Sequence, residues 1–219
     1  MSKEIFLLIN SVPFLLQGAF VTCQLAFVSI VLGVCGGLFL GIINSRKIDA
    51  QFAKYCINIF VWSVRGTPLF IQVLIVYYAL PEIIGVSLSP FVAGVVALGV
   101  NSMAYISEIV RGGINAVPEG QWDAAYIIGV SPWQTMRGII LPQMFKIILP
   151  GLINELTTLV KETSILMVVG VSELTKVSKD IVARELDPMT IYLAAAICYL
   201  VLTSGISIVA KFVQKKEFL

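Results

Sequence analysis

Between Glu4 and Arg46 no residue carries a charge. An apolar run of that length constrains the fold more than any other feature of the chain. It follows Lys3, as the apolar region of a secretory leader follows a basic start. Leader regions, however, run only about 7–15 residues and end at small-residue cleavage sites, and none interrupts this one. A retained first membrane span is expected. A bilayer core takes about 20 apolar residues per helix, and the segments Pro13–Asn44, Phe52–Leu80, Pro90–Arg111, Gln143–Val171 and Met189–Phe212 all reach that length. Arg46-Lys47, Pro81 and Asp187-Pro188 separate them. With 58% hydrophobic and 13% charged residues, the chain reads as one all-α integral membrane domain over residues 1–219 with five transmembrane helices. Several segments exceed the bilayer, so tilts or kinks are expected, with Pro150 a kink site in the fourth.

The residue inventory excludes much chemistry. Histidine is absent, which removes Ser-His-Asp and Cys-His catalysis, imidazole proton relays and histidine-ligated zinc. Cys23, Cys35, Cys56 and Cys198 form no CxxC pair and read as small core hydrophobes, without metal or disulfide. A Lys161–Ser164 dyad or a carboxylate pair is all that an intramembrane enzyme would have left. No enzymatic activity, metal or cofactor is expected.

Positive charge orients the spans. The loop after the first span holds Arg46, Lys47 and Lys54. The loop after the third holds Arg137, flanked by Arg111 and Lys146, and the tail holds Lys211, Lys215 and Lys216. The second loop has no Lys or Arg; in the fourth, Lys176, Lys179 and Arg184 mix with Glu173, Asp180, Glu185 and Asp187. The N-terminus is expected outside and the C-terminus in the cytoplasm, with residues 172–186 an amphipathic helix on the outer surface. Five helices enclose a path poorly, so a dimer with the path near its axis is expected.

The loop at about 112–142 breaks the apolar pattern. Glu119-Gly-Gln-Trp-Asp-Ala-Ala-Tyr-Ile-Ile-Gly129 reads as a short helix from Trp122 to Ile128 ending in a glycine turn, and Ile139-x-Leu141-Pro142 as a second short helix before the next span. Ala124 and Ala125 leave a slim face, and Gly129 permits a backbone that a side chain would forbid. Such a knob fits a groove on another protein. Asp123-Ala-Ala with Gly129 and Ile139-x-Leu-Pro142 resembles the EAA motif of binding-protein-dependent ABC importer permeases, with Asp123 in the glutamate position. Arg65-Gly-Thr-Pro-Leu69, Ser102 to Ile114, Gly120-Gln121 and Lys161-Glu-Thr-Ser164 resemble the polar amino-acid branch of that family. The resemblance covers nearly the whole chain.

It implies a type I ABC importer permease fold in a bacterial inner membrane, with a cytoplasmic coupling helix between the third and fourth spans. Glu119, Gln121, Asp123, Ala124, Ala125 and Gly129 would form the surface facing an ATP-binding subunit. The chain has no GxxxxGK[ST] loop, so ATP belongs to partner subunits. The implied partners are two ATPase subunits, a second permease subunit, an outside solute-binding protein, an amino acid and membrane lipid, with no nucleic acid.

Ionisable residues inside spans are costly and face a cavity or a partner. On the fourth helix Glu155, Thr158 and Glu162 share a face; on the third, Asn101, Tyr105 and Glu108 do. One reading makes Asn101, Tyr105, Glu155, Thr158 and Glu162 an amino-acid site that favours arginine, lysine or histidine. The other pairs Glu155 or Glu162 with Lys161 or Arg65 structurally. Thr67 before Pro68 reads as an N-cap where a helix restarts, its positive end towards the substrate carboxylate, or as a kink satisfied by neighbours. Glu108 and Arg111 suit a local ion pair or a gate contact. A glutamine or glutamate permease, or a secondary transporter, are the alternatives. Gly33, Gly36, Gly37 and Gly41 predict close helix packing.

Overall fold

The computed structural model describes residues 3–217, with only the backbone of Lys3, Val213, Lys215, Lys216 and Glu217. The described chain is helical throughout. Four helices are long and apolar enough to cross a membrane: Glu4–Ile43, Pro90–Ala116, Pro132–Val169 and Pro188–Phe212. A fifth crossing exists if Gln51–Arg65 and Leu69–Ile84, bent by 102°, form one broken span.

The first helix, α1 (Lys3–Ile43), keeps Pro13 inside it. It packs along α5 (Pro90–Ala116), and its glycines explain how closely. A Cβ on Gly33 would stand 2.8 Å from the Ser102 hydroxyl, on Gly37 2.6 Å from Ile106, and on Gly41 2.6 Å from the Ser107 carbonyl oxygen. The expected small-residue packing is therefore the seam between the first and third spans. Around that seam lie two cores. One joins Leu25, Leu98, Leu159 and Leu166; the other joins Ile106, Ile114, Ile140, Met144 and Ile148.

Proline shapes the remaining spans. Pro81 and Pro142 cannot donate to the carbonyl four residues earlier, and their rings crowd it. Each is preceded by one widened π turn, Ile75–Ala79 and Met136–Ile140. There the amide of Leu80 reaches back five residues to Ile75, and that of Leu141 to Met136. The first π turn links α3 (Leu69–Leu74) to α4 (Leu80–Ile84). The second joins α7 (Pro132–Thr135) to α8 (Leu141–Glu162), so the second short helix of the loop is the start of a long span rather than a separate element. After Glu162 the helix tightens to a 3-10 segment, Thr163–Val169, ending on left-handed Gly170.

Two further expectations are sharpened. Residues 172–186 contain the expected amphipathic helix, but its apolar face is covered by the protein itself. In α9 (Leu174–Glu185) Leu174, Ser178 and Ile181 are buried. Leu174 and Ile181 share a core with Leu15 of α1 and Ile191 of α10 (Pro188–Glu217). Its apolar stripe is satisfied by protein, not by lipid headgroups. Nor are three of the cysteines core residues: Cys23, Cys35 and Cys56 are exposed on the outsides of apolar helices, whereas half-buried Cys198 packs against the core of Leu174 and Ile191.

Candidate functional site

Two regions carry the polar groups singled out in the sequence. The first is the break in the second span. Gly66, Thr67 and Pro68 interrupt it because proline has no amide hydrogen and forces the preceding residue out of the helical region. Breaking a helix orphans carbonyls at its end, and one side chain collects them. The Gln72 amide nitrogen donates to Val64 O at 2.7 Å, Thr67 O at 3.1 Å and Thr67 Oγ1 at 2.9 Å. Thr67 is not the N-cap expected of it. Pro68 occupies that position without a side-chain bond, and the Thr67 hydroxyl donates backwards to Ser63 O at 2.9 Å. It closes the old helix rather than opening the new one.

Asn101 of α5 meets this break: its Nδ2 donates to Gln72 Oε1 at 3.0 Å. One turn along the same face, Tyr105 lies 5.0 Å below the Arg65 guanidinium. Another turn along, Glu108 stands 3.7 Å from Arg65 and takes a two-pronged bond from Arg111 at 2.9 and 2.7 Å. The expected Glu108–Arg111 pair is present. Arg65 pairs with Glu108 and Tyr105, not with Glu155 or Glu162 as the structural reading had it. Reach decides this, because Glu108 lies on the helix packed beside Arg65.

Next to Asn101 on α5, Ser102 faces Glu155 of α8. Ser102 is buried beneath Gly33, its hydroxyl turned to the Glu155 carboxyl. Glu155 is 8% exposed, and no described ion pair includes it. Glu162, half-buried, sits within electrostatic range of Glu155 and Lys161, and no ion pair among the described residues includes it. Thr158 is half-buried between them. The structure thus joins Thr67 to Asn101 through Gln72 and sets Glu155 beside Glu162, the two groups reaching the consecutive residues Asn101 and Ser102 of α5. Gln72 and Ser102 went unnoticed in the sequence. Gln72 had a legible signal, an amide inside an apolar span. Ser102 had none, since a helical serine usually bonds its own backbone.

The second region is the loop between the third and fourth spans. Its first helix, α6, runs Glu119–Ile127, starting three residues earlier than expected behind Pro118. It ends in a Schellman motif: Gly129, with φ +76°, donates to Tyr126 O at 3.0 Å, and Val130 donates to Ala125 O at 3.0 Å. Ser131 then caps α7 through a capping box with Gln134. Ala125 is buried against the rest of the subunit, while Asp123 and Ala124 are exposed. Glu119 pairs with Lys47 at 3.8 Å, and Gln121 accepts from Gln143 at 3.4 Å. Lys47 also lies 5.5 Å over the Trp122 ring, so the loop between the first two helices braces α6.

Beside α6 lies a groove of about 440 Å³ lined by Lys47, Trp122, Tyr126, Gly129, Val130, Pro132 and Thr135. Tyr126 is 86% exposed, and Ile127, Ile128 and Trp133 are nearly as open. Four large apolar side chains so exposed on a rigid, capped unit mark an interaction surface.

The comparisons with known proteins agree with this geometry. Residues 33–218 match the family model described as binding-protein-dependent transport system inner membrane component. A putative glutamine transport system permease protein GlnP of Rickettsia felis is 38% identical over 205 residues, 93% of this chain and 92% of that one. The arginine transport system permease protein ArtQ of Bacillus subtilis is 36% identical over 210 residues, 95% of this chain and 94% of that one. A crystallised amino acid ABC transporter with histidines superposes with a TM-score of 0.90 at 32% identity, covering 99% of this chain and 100% of its own. The chain belongs to the binding-protein-dependent transport system inner membrane components: it is a multi-pass inner-membrane permease subunit of an amino-acid ABC importer, a translocation subunit and not a catalytic one.

Proposed function

We propose that this permease translocates a basic amino acid by alternating access, through a site lined by Thr67, Asn101, Tyr105, Glu155, Thr158 and Glu162. The family implies ATPase partners and a substrate-binding protein. In our reading two permease subunits pair, each carrying one ATPase subunit on its α6, with Glu119, Gln121, Asp123, Ala124 and Gly129 forming the contact unit; Ala125, expected to join them, is buried and seats α6 on its own subunit instead. The N-terminus faces outside and the C-terminus the cytoplasm, as the Lys and Arg placement requires.

One observation carries the substrate class: Glu155 is buried within a membrane span and belongs to no described ion pair. A carboxylate in that position is expensive unless a cation joins it. Glu162 beside it adds a second acceptor. A lysine, arginine or histidine side chain supplies the missing charge. The R. felis relative is named for glutamine, so a neutral side-chain amide is the second reading.

The test is uptake of labelled arginine into proteoliposomes holding the assembled transporter, competed by lysine, histidine, glutamine and glutamate. Competition by lysine or histidine, and loss of arginine uptake in Glu155→Gln, is the expected result. Competition by glutamine, with Glu155→Gln affecting all substrates equally, would make Glu155 structural and overturn the basic-substrate reading.

A further inference from the structure

We infer that Gln72 is a positioning residue that fixes which atom of Asn101 faces the translocation site. This rests on placing Asn101 in that site. An amide side chain has one accepting and one donating end, and which end points where is normally ambiguous. Here the ambiguity is resolved by the backbone. Two of the atoms at 2.7 and 3.1 Å from the Gln72 amide end are the carbonyl oxygens of Val64 and Thr67, and a carbonyl only accepts. That end of Gln72 must be the nitrogen. Its oxygen therefore faces Asn101 and can only accept, so Asn101 must turn its nitrogen to Gln72, as it does at 3.0 Å. The remaining atom of Asn101, Oδ1, is left for the site.

The broken span thus imposes a polarity, transmitted through two side chains. Asn101 is an acceptor towards the ligand: it receives an N–H from an ammonium or guanidinium and repels a carboxylate. With Glu155 and Glu162 it makes an acceptor-only set, which deepens the basic-substrate reading. The same chain links the site to the bend at residues 66–68. If that bend changes when the transporter opens to the other side, the carbonyls that hold Gln72 move, and the grip on Asn101 changes with them.

The test is a double-mutant cycle in proteoliposomes with the assembled transporter, reading the KM for arginine against maximal uptake. Asn101→Leu and Gln72→Met are each expected to raise KM about threefold to tenfold, the effect of losing one hydrogen bond, with a smaller change in maximal uptake. The double variant should be no worse than Asn101→Leu alone, because Gln72 acts through Asn101. Additive losses, or an unchanged KM in Gln72→Met, would overturn the assignment while leaving the site reading in place. An unchanged KM in Asn101→Leu would instead remove Asn101 from the site. Should Gln72→Met fail to assemble, Gln72→Glu carries the test: facing two carbonyls its carboxyl is held protonated, donates to one of them and still accepts the Asn101 amide. A KM near that of the unaltered chain supports the inference, and one as high as that of Asn101→Leu overturns it.

Discussion

The Tyr199 hydroxyl donates to the Glu173 carboxylate at 2.8 Å, tying α10 to the N-terminus of α9. Glu173 is fully buried and also caps α9, accepting from the amides of Thr175 at 2.9 Å and Lys176 at 2.8 Å. The Thr175 hydroxyl lies 2.8 Å from Tyr199 Oη. A carboxylate is well suited to a helix start, where unpaired amides carry partial positive charge. Replacing Tyr199 with Phe removes one bond to a charged acceptor and should lower stability by about 1.5–3 kcal/mol. Thermal unfolding of the purified subunit complex measures it; an unchanged midpoint would contradict the role.

The same residue gives a pH dependence. Burial holds the Glu173 carboxyl above its ordinary value of 4.5, against the lowering effect of its hydrogen bonds. The folded state therefore binds this proton more tightly than the unfolded state does. Its contribution to stability is full below the ordinary carboxylate range and is lost as pH rises through the raised folded value. Glu173→Gln should flatten that slope between acid and neutral pH. A melting-temperature profile of equal slope in both proteins would assign it to other groups.

The α1–α5 seam predicts a contrast between two glycines of similar sequence context. At Gly41 an added Cβ lies 2.6 Å from the Ser107 carbonyl oxygen, a backbone atom that cannot step aside. At Gly112 it meets nothing within 4 Å. Gly41→Ala should cost about 1–3 kcal/mol through forced separation of the helices. Gly112→Ala should be neutral or slightly stabilising, since alanine favours the helix. Comparing the two by yield and melting temperature checks the seam directly, and equal tolerance would argue against it.

The α1 glycines of that seam, Gly33, Gly37 and Gly41, were readable in the sequence because small-residue spacing has one physical use between helices. The five apolar segments were readable for the same reason, as was the glycine turn that ends α6. The failures share a cause. Thr67 before Pro68 satisfies every local rule for an N-cap, yet its hydroxyl turns to Ser63, because Gln72 from beyond the break supplies the competing bond. Arg65 had Glu155 or Glu162 among its candidate partners and within the subunit meets Glu108, because pairing across helices depends on which helices touch. The π turns before Pro81 and Pro142 were missed although the prolines were in plain view. Pro13 and Pro150 lie within regular helix, so proline alone does not announce which accommodation follows.

Gly129 predicts a separation of folding from coupling. Its φ of +76° lies where an L-residue costs about 1–2 kcal/mol, and an added Cβ meets nothing within 4 Å. Gly129→Ala should therefore fold, with α6 frayed at its C-terminus. Tyr126→Ala and Ile128→Ala remove exposed apolar surface at no structural cost, since neither is buried. In our reading all three lower co-purification of the ATPase subunit and uptake together, with the melting temperature of the permease nearly unchanged for the last two. Retained ATPase binding in Tyr126→Ala and Ile128→Ala would move the docking surface elsewhere.

Arg65 predicts a large functional effect with a small energetic one. Its guanidinium bridges the end of the Gln51–Arg65 helix to α5 through Glu108 at 3.7 Å and the Tyr105 ring at 5.0 Å. It sits directly before the break, where the two halves of the span meet at 102°. The side chain is 43% exposed, and pairs that open to solvent contribute only about 0–1 kcal/mol. Glu108 keeps its tighter bond to Arg111 when Arg65 is gone. Arg65→Gln should therefore melt within a few degrees of the unaltered protein. Transport is a different matter, because a hinge between two conformations is sensitive to differences that stability does not register. If the Arg65 contacts belong to one access state only, Arg65→Gln shifts the balance towards the other. It should then change maximal uptake more than KM, and Arg65→Lys should not restore it, since an ammonium lacks the planar stacking on Tyr105. Uptake kinetics of both variants, beside their melting curves, decide the matter. A KM change with maximal uptake preserved would make Arg65 a substrate contact rather than part of the hinge.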